Sequence, residues 1–314
     1  MKALVTGAAG FIGSTLSERL IADGATVTGL DCFTDYYPRE RKEHNLARLR
    51  QSPGFTLVEA AIADADLPTL LEGVTHVFHL AAQAGVRKSW GRDFRVYTVN
   101  NVEATQILLE ACVGRRLKRL VYASSSSVYG DNVALPMTED ALPQPVSPYG
   151  VTKLSAEQLC HLYHVNYDVP AVSVRYFTVY GPRQRPDMGF HKFLLAVMRG
   201  EAVPQFGDGR QTRDFTFVAD AVSATVAAAT RGTPGGVYNL GGGSRVELLD
   251  VFELIRAVTD RPLRINRIDA QRGDMRDTYA DTSRARADLG FAPTVSLEQG
   301  LRAQFEWMTE AGLF

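Results

Sequence analysis

Cysteine is scarce in this sequence: Cys32, Cys112 and Cys160 are the only three in 314 residues. Thiols so few, and without metal-type spacing, cannot staple a chain of this size, and an odd count fits a reducing, cytoplasmic setting. An excess of either charge is also missing. Lys and Arg total 34 against 35 for Asp and Glu, a formal net charge of −1. A protein whose main partner is nucleic acid needs a basic excess, so none is expected. No run reaches the ~18 apolar residues of a membrane span. Met1-Lys2-Ala3-Leu4-Val5-Thr6-Gly7 enters a strand-then-glycine pattern without a signal-type apolar region. Repeats, low-complexity tracts and free linkers are absent as well. What remains is ordinary globular composition, 45% hydrophobic and 22% charged, with length for one large α/β domain or two moderate ones.

Short apolar runs alternate with amphipathic stretches through roughly the first 175 residues. Ala3–Thr6, Thr26–Leu30, Thr56–Val58, His76–Leu80, Arg119–Ala123 and Ala171–Tyr176 read as strands. Ile12–Ala22, Val102–Ala111 and Tyr149–Tyr163 read as helices between them. Such alternation predicts a doubly wound parallel sheet of the Rossmann type, with ligands at the carboxyl ends of its strands. After Tyr176 the rhythm changes. Gly181, Pro182, Pro186, Gly207 and Gly209 punctuate a stretch around one helix, Phe190–Arg199. Further on come a strand at Gly236–Leu240 and helices at Leu248–Val258 and Leu297–Met308, the last with Ser296 as N-cap. The expected division is a dinucleotide domain over 1–175 and a smaller α/β substrate domain over 176–314. Part of the latter, about 212–240, is expected to return to the main sheet.

Gly7-Ala8-Ala9-Gly10-Phe11-Ile12-Gly13 lies between the first strand and the first helix. Glycines there allow a tight turn, let backbone approach a pyrophosphate, and bring helix close to strand, leaving the phosphate on the positive helix end. A glycine triplet alone is weak evidence; the flanking strand and helix make it specific. Asp31 ends the second strand where a carboxylate can accept from both ribose hydroxyls and repel a 2′-phosphate, so NAD is favoured over NADP. The small residues of His79-Leu80-Ala81-Ala82 would let the fourth strand's end lie against the adenosine half.

Of twelve tyrosines only Tyr149 has a lysine four residues on, Lys153, which places both on one helix face. A nearby ammonium lowers a phenol's pKa, and a phenolate in reach of a sugar hydroxyl is a general base for hydride transfer. The serine run Ser124-Ser125-Ser126-Ser127 follows the Arg119–Ala123 strand and brings hydroxyls to its carboxyl end. No Gly-x-Ser-x-Gly elbow suggests a nucleophilic serine instead. Strand geometry throws His76 and His79 to opposite faces, and His161/His164 have no evident third ligand, so no metal is expected.

Together the glycine motif, Asp31, the serine run, Tyr149/Lys153 and Arg175-Tyr176-Phe177-Thr178-Val179-Tyr180-Gly181-Pro182 resemble the nucleotide-sugar epimerase/dehydratase branch of the short-chain dehydrogenases, in order and over nearly the whole chain. The resemblance implies Tyr149 as base, Lys153 as its partner and Ser125 as the catalytic hydroxyl. It also adds Ile62 and Tyr176 to the NAD contacts. Ser126 and Ser127 stand where 4,6-dehydratases carry Asp and Glu, which argues against dehydration. Ala61-Ile62 replaces an Asp-aliphatic pair at the adenine, and Cys32 a common Asn. For the nucleotide, the resemblance assigns the diphosphate to Arg213 and the uracil strand to Gln205-Phe206-Gly207, beside Gln211. A second diphosphate contact falls to Arg272 or Gln271, and the pattern does not choose between them.

Phe177-Thr178 in place of Phe-Asn, Arg185-Pro186-Asp187-Met188, Asp35-Tyr36-Tyr37-Pro38 and Ala82-Gln83-Ala84-Gly85-Val86-Arg87 resemble the UDP-glucuronate 4-epimerase group. A sugar carboxylate wants a cationic fork and a hydroxyl donor, which Arg185 and Thr178 can supply. The implied reaction inverts C4 of UDP-glucuronate through a 4-keto sugar with bound NAD. UDP-glucose/galactose epimerisation is the alternative, then UDP-glucuronate decarboxylation. A homodimer through the helices at Val102–Ala111 and Tyr149–Tyr163 is the family expectation.

Overall fold

The computed structural model describes residues 1–131, 133–269 and 273–313. Its strands in chain order are β1 (Lys2–Thr6), β2 (Thr26–Asp31), β3 (Phe55–Glu59), β4 (His76–His79), β5 (Arg119–Ser125), β6 (Ala171–Tyr176), β7 (Thr178–Tyr180), β8 (Ala202–Phe206), β9 (Thr212–Phe217), β10 (Val237–Leu240), β11 (Arg245–Glu247) and β12 (Arg264–Ile268). Seven of them form one parallel sheet in the order β10-β6-β5-β4-β1-β2-β3. The order reverses direction between β1 and β4, the switch point at which doubly wound sheets open a crevice.

Strand alternation sends successive side chains to opposite faces. Ala3 and Val5 of β1, with Val121, Val172 and Val174, pack under the Phe11–Ala22 and Val218–Arg231 helices. Leu4, Val77, Leu120 and Tyr122 face the other way, against Leu108, Ala156 and Cys160 of the Ala104–Cys112 and Pro148–Tyr167 helices. The alanines of Val218–Arg231, with Ala221, Ala224 and Ala228 fully buried, let that helix sit close to the sheet.

Of the stretch 212–240, β10 enters the main sheet beside β6, whereas β9 pairs with β7 and β11 in a separate three-stranded sheet. β8 and β12 form a parallel pair. A second core of Tyr180, Phe190, Leu194, Phe252, Ile255, Leu301 and Met308 holds this part together. Ser296 caps the Leu297–Glu310 helix reciprocally with Gln299. The expected helix at Val102–Ala111 begins earlier: Phe94–Tyr97 leads into a π-helical turn over Thr98–Glu103, then Ala104–Cys112. Single π-turns within helices are frequent at functional sites, and this one carries the buried Asn101.

Candidate functional site

The carboxyl ends of β1, β2, β4, β5 and β6 open onto one cleft of about 450 Å³. Gly7, Gly10, Phe11, Ile12 and Gly13 form one wall. Gly7 has a φ of 70°, and a Cβ there would lie 2.8 Å from the Ala81 nitrogen; at Gly13 it would overlap the Gly7 carbonyl. Both positions therefore require glycine, and the backbone between them stays bare for a ligand. Asp31, Ile62, Leu80, Ala81 and Ala82 complete this half. Thr6, His79 and Thr105 brace its floor. The Thr105 hydroxyl donates to the Asn101 carbonyl at 2.6 Å, so it accepts from His79 Nε2 at 2.9 Å. His79 Nδ1 then accepts from the Thr6 hydroxyl at 2.8 Å, and Thr6 Oγ1 accepts the Ala81 N–H at 3.1 Å.

Asp31 has partners that pattern reading did not supply. Its carboxylate accepts the N–H groups of Ala9 and Phe33 at 3.1 and 2.9 Å and an ion pair from Lys42 Nζ at 2.8 Å. Both side chains are buried, Lys42 7% and Asp31 5% exposed. A lysine so enclosed is rare without a partner; its spacing in the Arg39–Leu46 helix carries no motif. Lys42 offsets part of the charge expected to repel a 2′-phosphate. A glycine turn at a helix N-terminus, with a carboxylate ending β2, still fits a dinucleotide with a free ribose.

The other half of the cleft is lined by Ser125, Ser126, Ser127, Tyr149, Lys153, Tyr176, Thr178 and Arg185. Tyr149 stands at the start of the Pro148–Tyr167 helix, where Ser147 caps by accepting the Gly150 N–H at 3.1 Å. Lys153 Nζ donates to the Ala123 carbonyl at 2.7 Å, and burial, with a smaller effect from Arg185, lowers its pKa to about 7. The expected lowering of the Tyr149 phenol by Lys153 is corrected here. Burial pushes that phenol up, and the groups pulling it down are Arg185 and then a hydrogen bond with Ser125, while Asp187 pushes it up. Desolvation disfavours the phenolate more than the surroundings favour it.

Side chains further from the cleft fix this geometry. Asn101 bonds both the N–H and the carbonyl of Gln83, at 2.7 and 3.1 Å, and donates to Thr152 at 2.9 Å, tying the loop after β4 to the Tyr149 helix. One turn below Lys153, Glu157 accepts Arg175 Nη2 at 2.6 Å and the Ser124 hydroxyl at 2.6 Å, which fastens the end of β5 to the same helix. The i, i+4, i+8 series Tyr149, Lys153, Glu157 was the available signal.

Arg87, Phe206, Gln211 and Arg213 do not line the cleft itself but meet in a second cluster. The Arg87 guanidinium lies 3.8 Å over the Phe206 ring and pairs with Asp274 at 2.6 Å. Gln211 Nε2 donates to the Phe206 carbonyl at 2.9 Å, and Arg213 Nη1 to the carbonyls of Thr212 and Arg276 at 2.8 and 3.0 Å. Arg272 and Gln271 lie outside the described residues. Among the described residues no group of histidine, cysteine or carboxylate side chains could hold a metal ion, and no helix is long and apolar enough to cross a membrane.

A glycine-walled cleft at the switch point of a parallel sheet, shared with a tyrosine, lysine and serine, defines a dinucleotide-dependent enzyme of the short-chain dehydrogenase type. Residues 3–241 match the NAD dependent epimerase/dehydratase family, and the chain belongs to it. An uncharacterized UDP-glucose epimerase of Bacillus subtilis (strain 168), YtcB, is 43% identical over 313 residues, covering 98% of both chains. A probable UDP-glucuronate 4-epimerase of Rhizobium meliloti (strain 1021) is 37% identical, over 98% of this chain and 96% of its own. The crystal structure of UDP-glucuronic acid 4-epimerase from Bacillus cereus, in complex with UDP-glucuronic acid and NAD, superposes with a TM-score of 0.96 at 43% identity, covering 99% of this chain and 100% of that one.

Proposed function

We propose that the protein is an NAD-dependent 4-epimerase that interconverts UDP-glucuronate and UDP-galacturonate. The observation that carries the reading is the shared wall: Arg185 and Thr178 line the same cleft as Tyr149, Ser125 and Lys153. The similar B. cereus protein, crystallised with UDP-glucuronic acid and NAD, supports it.

In this reading residues 1–175 hold the cofactor and 176–314 supply most of the sugar site. Tyr149 takes the C4 hydroxyl proton, with Ser125 sharing it and Lys153 donating to the cofactor ribose. NAD, when bound, accepts the C4 hydride and returns it to the opposite face after the 4-keto sugar has turned about its diphosphate. Ser126 and Ser127 face the sugar. Arg213, Arg87, Gln211 and Phe206 hold the diphosphate and uracil. Arg185 and Thr178 grip the carboxylate, so that the C5–C6 bond stays out of line with the C4 carbonyl π-system and CO2 is retained.

Purified protein given UDP-glucuronate and, separately, UDP-glucose, without added reductant and followed by proton NMR, tests this. UDP-galacturonate from the first alone is the expected outcome. A second reading, UDP-glucose/UDP-galactose epimerisation, is favoured by one feature: Arg185 already has a carboxylate partner, so a neutral hexose would not leave it unpaired. Interconversion of the hexoses alone would establish it.

A homodimer in the cytoplasm completes the proposal. Val96 and Val99, on the run leading into Ala104–Cys112, and Leu162 and Val165 of the Pro148–Tyr167 helix are exposed. These helices lie side by side, with Gln106 Nε2 donating to the Tyr163 hydroxyl at 2.9 Å. Light scattering on the eluting protein distinguishes dimer from monomer.

A further inference from the structure

Arg185 is already engaged within the chain. Its Nε donates to Asp187 Oδ1 at 2.9 Å and its Nη2 to Asp187 Oδ2 at 3.0 Å, a side-on, two-bond pairing. Asp187 Oδ2 also accepts the Tyr36 hydroxyl at 3.3 Å. Tyr36 comes from the segment after β2, and its hydroxyl fills the space that a Cβ at Gly85 would take. Burial pushes the Asp187 carboxyl up, but the charge and bonds of Arg185 hold it below its ordinary value, so the pair is ionised. The loop after β7 thus supplies both members of the ion pair, the segment after β2 braces its carboxylate through Tyr36, and the loop after β4 packs Gly85 against that tyrosine's hydroxyl.

A guanidinium has five N–H groups in a rigid plane. The side-on pairing uses Nε–H and one Nη2–H, leaving the end-on edge of the two terminal nitrogens. An unbraced arginine would lose up to ~2 kcal/mol of rotamer freedom on gripping a ligand, and tolerances at reacting centres are near ~0.5 Å.

We propose that Asp187, braced by Tyr36, is a positioning residue for substrate specificity: it occupies the side edge of Arg185 so that the end edge meets a sugar carboxylate in one orientation. This rests on the uronate reading above. Its consequence is chemical. A carboxylate held loosely can swing until C5–C6 aligns with the C4 carbonyl. That bond then breaks, its electron pair forms the C4–C5 enolate, CO2 leaves and C5 takes up a proton. The released 4-keto pentose leaves its C4 hydride behind, so one cofactor stays reduced for each CO2 lost.

The test compares holoenzyme with Asp187→Asn, Asp187→Glu and Tyr36→Phe, measuring kcat and KM on UDP-glucuronate, products by NMR, reduced-cofactor absorbance and inhibition by UDP. Asp187→Asn is expected to lower kcat ~10-fold, keep KM within ~3-fold and release 4-keto pentose with matching reduced cofactor, since a misplaced group costs turnover more than binding. Asp187→Glu restores part of both, and Tyr36→Phe moves them ~2–3-fold in the same direction, as fits one lost hydrogen bond. UDP inhibition is unchanged in all. Unaltered products, tighter UDP-glucuronate binding in Asp187→Asn, or an equal loss of UDP affinity would overturn the role of Asp187. If Asp187→Asn does not fold, the by-product in Tyr36→Phe decides. Wild-type protein inert to UDP-glucuronate would instead sink the substrate reading.

Discussion

In the cofactor half of the cleft the walls are backbone and short side chains from consecutive pieces of chain: the turn after β1, the end of β2, the residues after β4. In the half proposed for the sugar, Ser125, Tyr149, Thr178 and Arg185 come from separate segments, Arg185 is paired with Asp187, and Lys153 is held by the Ala123 carbonyl. The first half recognises a ligand with groups that folding of the sheet already positions. The second needs side chains to be oriented, and orientation is supplied by bonds such as Arg185–Asp187, Glu157–Ser124 and Asn101–Gln83. Cross-segment bonds brace the floor of the first half, at Thr6, His79 and Thr105, and orient the wall itself in the second.

The largest expected effect falls in the sugar half. Tyr149→Phe removes the proposed base and should reduce turnover ~10²–10⁴-fold, with NAD content and Tm near wild type; retained activity would reassign the base. Lys42→Met sharpens the contrast from the other side. It leaves Asp31 buried without its cation, a change that typically costs ~3–5 kcal/mol. Tm and bound NAD should both fall, and loss of NAD without loss of Tm would show that Lys42 serves the cofactor alone. Gly13→Ala forces a Cβ into the Gly7 carbonyl; overpacking of this kind costs ~1–3 kcal/mol. Denaturant unfolding measures it, and an unchanged midpoint would mean the turn can relax.

The smallest effect is a pH dependence beneath the cofactor half. Burial lowers the pKa of His79 to about 3 from the usual 6.5. Above 6.5 the ring is neutral in both folded and unfolded chains. As pH falls below 6.5 the unfolded chain binds a proton that the folded one refuses, so stability declines toward acid. Tm should fall steadily from pH 6.5 toward 4, and less steeply in His79→Gln; equal slopes would mean that other groups govern the acid limb.

Much of the sheet was readable because its signals are local. The Ala171–Tyr176 strand needs only a run of apolar residues, and the Phe11–Ala22 helix only its glycine lead-in and amphipathic spacing. Thr212–Phe217 was not among the expected strands, because its buried positions are Thr212, Asp214 and Thr216 rather than apolar residues, and nothing local tells which sheet it joins; it pairs with β7 and β11. The same limit hid Lys42, since a helical lysine eleven residues after Asp31 looks like any solvated one until the helix is seen to fold back. It also misdirected the electrostatics of Tyr149. Helical spacing shows that Lys153 is near, but not that burial outweighs every cation and that Arg185 is the strongest of those acting on the phenol.

Taken alone, the sequence determined the order of the parallel strands' building blocks, the glycine turn, and the Tyr149/Lys153 pair, because each depends on residues within a few turns of one another. The tertiary structure decided which charges meet. Asp31 with Lys42, Glu157 with Arg175, and Asp187 with both Arg185 and Tyr36 depend on loop closure and burial. Those set the local dielectric and the partner of every ionised group, and no periodicity along the chain encodes either.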